Sequence, residues 1–233
     1  MTVDIILLSN AKTPTLRRTT EAAIESCHRS EQVIKFNILV IEQNMDDRPE
    51  YAGATTIYTD SPFNYNKFMN TGISLTQNQY VCLCNNDVIF RPLWATNILA
   101  AMMAYDILSA SPLCPKSHWA FKDGANVEFG YENGKHVAGW CIMTNRDLYK
   151  IIGGINDEFP FWFADNVYSE QLQQHGIRHA LVRNSWVDHK GQSTLRTLEN
   201  PDAMTVDYIK KFIEKYPENE SAIFFAKQLN INP

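Results

Sequence analysis

Three positions stand out for the chemistry their residue types and spacing could do. Asn85-Asn86-Asp87 directly follows the apolar run Tyr80–Cys84. A carboxylate at a strand end, flanked by amide oxygens, suits a hard divalent cation (Mn or Mg), which takes oxygen ligands and keeps open positions for phosphate. One residue separates Asn85 from Asp87, so both face one side of an extended segment. The same tripeptide also reads as an Asn/Asp turn ahead of a helix. Asp165 lies just behind Phe161, Trp162 and Phe163 at the start of a helical pattern. An aromatic wall desolvates a carboxylate and raises its pKa, which suits a general base. An Asp in that place is equally a helix N-cap. His189, in Val187-Asp188-His189, offers an imidazole to a manganese-like ion or, more simply, a structural hydrogen bond. Lys116, His118, Trp119, Phe121 and Lys122 interleave bases with rings on which sugars and nucleobases stack. A surface loop tucked onto the core by Trp119 would have the same composition. Cys82 and Cys84 share one face of a strand and read as packing residues.

The elements that must position these groups follow from apolar periodicity. Val3–Leu8, Phe36–Glu42, Thr55–Tyr58, Tyr80–Cys84 and Ile107–Ala110 are short, continuous apolar runs, predicted as buried strands. Helices are expected from Pro14 with Thr13 as N-cap, over Phe63–Leu75, from Pro92 to about Tyr105, up to Ile152, and over about Asn166–His175. Strands that alternate with helices and are apolar throughout predict an α/β fold with a mostly parallel central sheet covered on both faces. Residues 111–136 are turn-rich and predicted as a working loop or small hairpin. Val137–Thr144 is predicted as a further strand, and residues 203–229 as two polar helices around Pro217. One domain is expected over residues 1–196, with halves 1–110 and 111–196, followed by a helical extension over 197–233. In open parallel sheets ligands sit beyond the carboxyl ends of the strands. Those ends hold Ser9 and Asn10, Glu42 to Asn44, and Asn85 to Asp87.

Composition narrows the function. The 233 residues are 45 % hydrophobic and 20 % charged, as in a globular chain large enough to fold without disulfides or structural metal. No apolar stretch approaches the roughly 18 residues of a membrane span, and the N-terminus reads as a first strand and not a signal peptide. Five cysteines without a C-x-x-C pair point to reduced thiols in a cytoplasmic setting. Net charge is −5, which disfavours a globally basic nucleic-acid binder. Residues 116–196 nevertheless balance nine basic against nine acidic side chains and carry five of the six histidines, so groups that titrate near neutrality gather there. The first strand–helix turn, SNAKTP, lacks glycine, which excludes a dinucleotide fingerprint at that turn. P-loop and G-x-S-x-G signatures are absent as well.

Taken in order over about residues 3–195, the segments resemble the family-two glycosyltransferases of the GT-A fold. ILVIEQN resembles the strand whose terminal acid contacts the nucleotide base, with Glu42 where Asp is usual. PFNYNKFMNTGI resembles the stretch of spaced asparagines, here including Asn66 and Asn70, that precedes the metal motif. YVCLCNNDVIF resembles the Asp-x-Asp strand in the variant that keeps only the last acid. GWCIMTNRDLYKIIGGINDEFPFWFADNVYSEQLQQHG resembles the acceptor-side block, with Asp165 where the catalytic base sits. WVDHKGQST resembles the closing segment whose His binds metal. Ala164, Val167 and Asn85 stand where the family more often has acids.

The resemblance implies a metal-dependent transfer of a sugar from a nucleotide-diphosphate donor, a UDP-sugar above all, to a hydroxyl, with inversion. Asp165 is the implied base. Asp87, Asn85 and His189 are the implied metal ligands. Ser9, Asn10, Glu42, Asn66, Asn70 and Asn86 fall on the donor side, and Lys116, His118, Trp119, Gly139, Trp140 and Trp162 on the acceptor side. Compact stand-alone members in bacteriophages glycosylate hydroxymethylated bases in DNA, in the host cytoplasm. Modified DNA and a soluble glycan are therefore the two acceptors expected. The rival expectations are a nucleotidyltransferase of related fold, for which SNAKTP is a poor match, and an inactive nucleotide-sugar-binding module.

Overall fold

The computed structural model describes residues 1–118, 125–191 and 201–219, together with 222, 223, 226 and 227. It is a mixed α/β fold, a central sheet flanked by helices. The elements run β1 (Thr2–Ser9), α1 (Pro14–Arg29), β2 (Lys35–Glu42), β3 (Thr55–Tyr58), α2 (Tyr65–Leu75), β4 (Tyr80–Asn85), β5 (Val88–Phe90), α3 (Trp94–Tyr105), β6 (Ser109–Leu113), β7 (Val127–Phe129), β8 (Cys141–Asn145), α4 (Asp147–Ile152), α5 (Ala164–Gln174), β9 (His179–His189) and α6 (Pro201–Lys215). The sheet order is β3-β2-β1-β4-β8-β6-β9-β5, with β7 also paired to β9.

The expectation of a mostly parallel sheet is corrected. β1, β2, β3 and β4 pair in parallel, as the first half predicts. Beyond β4 the sheet is mixed. β8 lies antiparallel to both β4 and β6, and β9 is parallel to β6 but antiparallel to β5 and β7. The cause is the long connection after β6, which removes the need for a right-handed parallel crossover and lets β8 enter the sheet from the opposite end. Apolar continuity reports burial on both faces. Direction is carried by the connections, and an antiparallel strand buried on both faces looks the same.

Alternation of side chains along β4 shows that double burial. Cys82 and Cys84 face one core with Ile5, Leu7, Ile24 and Ile98. Val81 and Leu83 face the other with Ile6, Met69 and Tyr168. α1 starts as its residues dictate: Pro14 sits in the first turn and the Thr13 side chain accepts the Leu16 N–H. β5, three residues long, was hidden in what reads as a turn before a helix. β8 starts later than expected, because residues 137–140 turn, with the Cys141 N–H donating to Ala138 O at 2.8 Å. Sequence halves 1–110 and 111–196 thus share one sheet, joined at β4–β8 and β5–β9. α6 packs Ile209, Phe212 and Ile213 against Phe159 and Val167 in a third apolar cluster. No helix among the described residues is long and apolar enough to cross a membrane.

Candidate active site

The register of β5 on β9 decides where Asp87 goes. Val88 lies opposite His189, and the Lys190 N–H donates to Asp87 O at 3.0 Å. The side chains beside this pair meet: His189 Nε2 lies 3.2 Å from Asp87 Oδ1, with Asp87 only 4 % exposed. Trp140 stacks on His189, ring centroids 4.9 Å apart and planes 6° from parallel, and His118 tilts onto the same indole at 5.4 Å. The Asn85 N–H donates to Trp140 O at 2.9 Å. Trp140 is therefore held to the tip of β4 through its backbone and to the end of β9 through its ring.

Asp165 reaches the same turn from the other side. It lies in the first turn of α5, and its Oδ1 accepts the Asn166 N–H at 3.0 Å. Its side chain lies against Gly139. A Cβ on that glycine would sit 2.6 Å from Asp165 Oδ2, closer than real contacts allow. Tyr65, on α2, donates its hydroxyl to Gly139 O at 3.1 Å. Burial pushes the Asp165 carboxyl above its ordinary value, with the nearby Asn133 amide and backbone N–H groups opposing in part. The consecutive residues Gly139 and Trp140 thus touch Asp165 and the His189 ring, respectively. This turn therefore has Asp165 packed on one residue and the Asp87–His189 pair stacked on the next through the His189 ring.

The polar atoms here are only partly paired. His118 Nδ1 accepts the Cys114 N–H at 2.9 Å, which fixes the tautomer with hydrogen on Nε2. Burial, with His136 adding to it, pushes His118 down to about 4, so the ring is neutral. His118 Nε2, Trp140 Nε1 and Trp162 Nε1 are buried donors without a hydrogen-bond partner among the described residues. Orphaned buried donors are rare in folded proteins, and each calls for an acceptor such as a water, an ion or a ligand. An oxygen-rich ligand fits them. For a divalent cation the donor set also fits: a buried carboxylate oxygen beside an imidazole nitrogen is a mixed O/N pair that suits manganese.

Other expected residues have structural partners. Glu42 is fully buried: Oε1 accepts from the Ala11 and Asn44 N–H groups, and Oε2 accepts the Tyr51 hydroxyl at 2.7 Å. Ser9 Oγ lies 3.0 Å from that hydroxyl and 3.1 Å from Thr20 Oγ1, to which Asn86 Nδ2 also donates. Ser9, Glu42 and Asn86 therefore shape the loops after β1, β2 and β4, while Asn10 stands exposed at the rim. Asn66 and Asn70, expected on the donor side, hold the loop before α5 and the start of that helix. Asn66 Nδ2 donates to Asn156 O and Ala164 O. Asn70 bonds Ile155 through both its carbonyl and its amide. Lys116 is exposed, His118 fully buried, and Trp119, Phe121 and Lys122 lie outside the described residues.

Sequence reasoning missed Tyr51, Tyr65, Asn133 and the conformation of Phe163. Phe163 holds a left-handed backbone, φ 65°, directly before α5, and its ring stacks on Phe212 of α6 at 4.7 Å. A non-glycine residue in that conformation carries strain of about 1–3 kcal/mol that its surroundings must hold. No sequence signal marks it, since the packing partner lies far along the chain. The departures at Ala164 and Val167 have a structural reason. Val167 faces the apolar cluster with Phe159 and Phe212, and Ala164 is buried with its carbonyl bound by Asn66, so an acid at either place would be desolvated. The chain matches no protein-family model and no curated protein.

Proposed function

We propose that the protein is a metal-dependent glycosyltransferase of GT-A type, moving a sugar from a nucleotide-diphosphate donor to an acceptor hydroxyl. The observation that carries this reading is the Gly139-Trp140 turn, which sets a buried, pKa-raised carboxylate and a carboxylate–imidazole pair on either side of one dipeptide. Asp87 and His189 would hold the cation, which when bound supplies Lewis-acid neutralisation of the leaving diphosphate, worth several kcal/mol. His118 Nε2–H and Trp140 Nε1–H offer fixed donors to oxygens that gain charge as the glycosidic bond to phosphate breaks. Asp165 takes the acceptor proton on a carboxylate oxygen. Its raised pKa makes it a stronger base than an exposed Asp, and Gly139, lacking a Cβ, leaves room for the carboxylate beside it. Asn66 and Asn70 fix the loop before α5, so that Asp165 is held in position without ordering on each turnover.

For the acceptor, a soluble glycan is favoured over modified DNA by the net charge of −5, which repels a phosphate backbone. A thermal-shift screen of nucleotide sugars with manganese tests the reading. A donor at 100 times its Kd adds about 2.7 kcal/mol of stability and raises Tm. Slow manganese-dependent release of a nucleoside diphosphate is expected from the same donor. Release of pyrophosphate from a nucleoside triphosphate offered together with a sugar phosphate would point instead to nucleotidyl transfer.

A further inference from the structure

We propose that Cys82, Cys84 and Cys141 form a binding site for one soft cation, Cu(I). The three Sγ atoms all lie within 4.8 Å of one another, and those of Cys82 and Cys141 are 3.6 Å apart. A cation bonded to three sulfurs at a metal–thiolate distance of about 2.3 Å spaces them roughly 4 Å apart in a trigonal plane, so adjustments of a fraction of an ångström suffice. Strand register builds the cluster. Cys84 lies opposite Cys141 on the antiparallel β4–β8 pair, and Cys82 follows on the same face two residues away. All three are fully buried, in the core that β1, α1 and α3 close.

Ligand number selects the ion. Among the described residues no histidine or carboxylate joins this group. Zinc prefers four protein ligands in a closed site, whereas three soft sulfurs complete the shell of Cu(I). Binding forms Cu–S bonds at the expense of S–H bonds, each displaced proton leaving to solvent, and no electron is transferred. The site is independent of the transferase reading but lies beneath it. Cys84 precedes Asn85 and Cys141 follows Trp140, so a bound ion would cross-link β4 to β8 directly below the Asp87 tip.

Anaerobic titration of the reduced full chain with Cu(I), in competition with the chromophoric chelator bathocuproine disulfonate, tests this. One equivalent is expected to stay with the protein and to give thiolate-to-copper absorption in the ultraviolet. Cys84→Ala and Cys141→Ala should each lose tenfold or more in affinity, while Cys114→Ala retains it. X-ray absorption on the loaded wild type, which needs no variant to fold, should count three sulfurs at about 2.3 Å. Surrender of all copper by a chain whose five thiols remain titratable, or a first shell of nitrogen and oxygen, would overturn the proposal.

Discussion

The tips of β2 and β4 are built on opposite terms. At the tip of β2, Glu42 is fully buried and its two oxygens accept three hydrogen bonds, from Ala11, Asn44 and Tyr51. At the tip of β4, Asp87 meets His189, and around that pair the ring N–H groups of His118 and Trp140 have no acceptor among the described residues. The first arrangement stabilises loops. The second leaves buried donors at a cost of about 1–3 kcal/mol each, the mark of a place where folding is not the only requirement. Charge at a strand end is thus not a sufficient sign of a site. Whether the neighbouring polar atoms are satisfied separates the two.

That contrast breaks most visibly at Asp165. Asp165→Asn should lower kcat by about 10²–10⁴-fold in a transfer assay with little change in donor affinity. Its raised carboxyl pKa places the acid limb of kcat/KM above the ordinary Asp range of about 4. Next in size is the support behind it. Phe212→Ala removes the ring stacked on Phe163 and should cost about 3–5 kcal/mol in denaturant unfolding. Gly139→Ala forces a methyl onto Asp165 Oδ2 and Cβ and should lower kcat by about 10²-fold while costing about 1–3 kcal/mol of stability. On the satisfied side, Glu42→Gln keeps an oxygen for the Ala11 and Asn44 N–H groups but sets an NH2 against the Tyr51 hydroxyl, which must then give up its role as donor. It should cost about 1–3 kcal/mol of stability and leave the pH profile of turnover unmoved.

The smallest effect concerns stability. Because folding raises the Asp165 pKa, the folded state binds its proton more tightly than the unfolded one. That contribution is full below the unfolded pKa of about 3.9 and is lost as pH rises through the folded value. Asp165→Asn should therefore melt higher than wild type at pH 7, and the difference should vanish at acidic pH.

Legibility in the sequence follows the range of the cause. The strands β1, β2, β3 and β4, the Thr13 cap and Asp87 at a strand tip are local, and their residues announce them. Strand direction after β6, the register that brings His189 to Asp87 and the left-handed Phe163 under Phe212 depend on partners tens of residues away. Asn66 and Asn70 were legible as unusual amides on a helix. Their partners, Asn156 O, Ala164 O and Ile155, belong to a distant loop, so the sequence pointed to a ligand where the chain itself supplies the acceptor.

The central claim is that Asp87 and His189 serve the diphosphate while Asp165 serves the acceptor across the Gly139-Trp140 turn. Calorimetric titration of uridine diphosphate with and without manganese tests it most directly on wild type, Asp87→Ala and Asp165→Asn. The account predicts manganese-dependent binding to wild type and to Asp165→Asn alike, and its loss in folded Asp87→Ala. Binding by Asp87→Ala with the affinity and manganese dependence of wild type would contradict it.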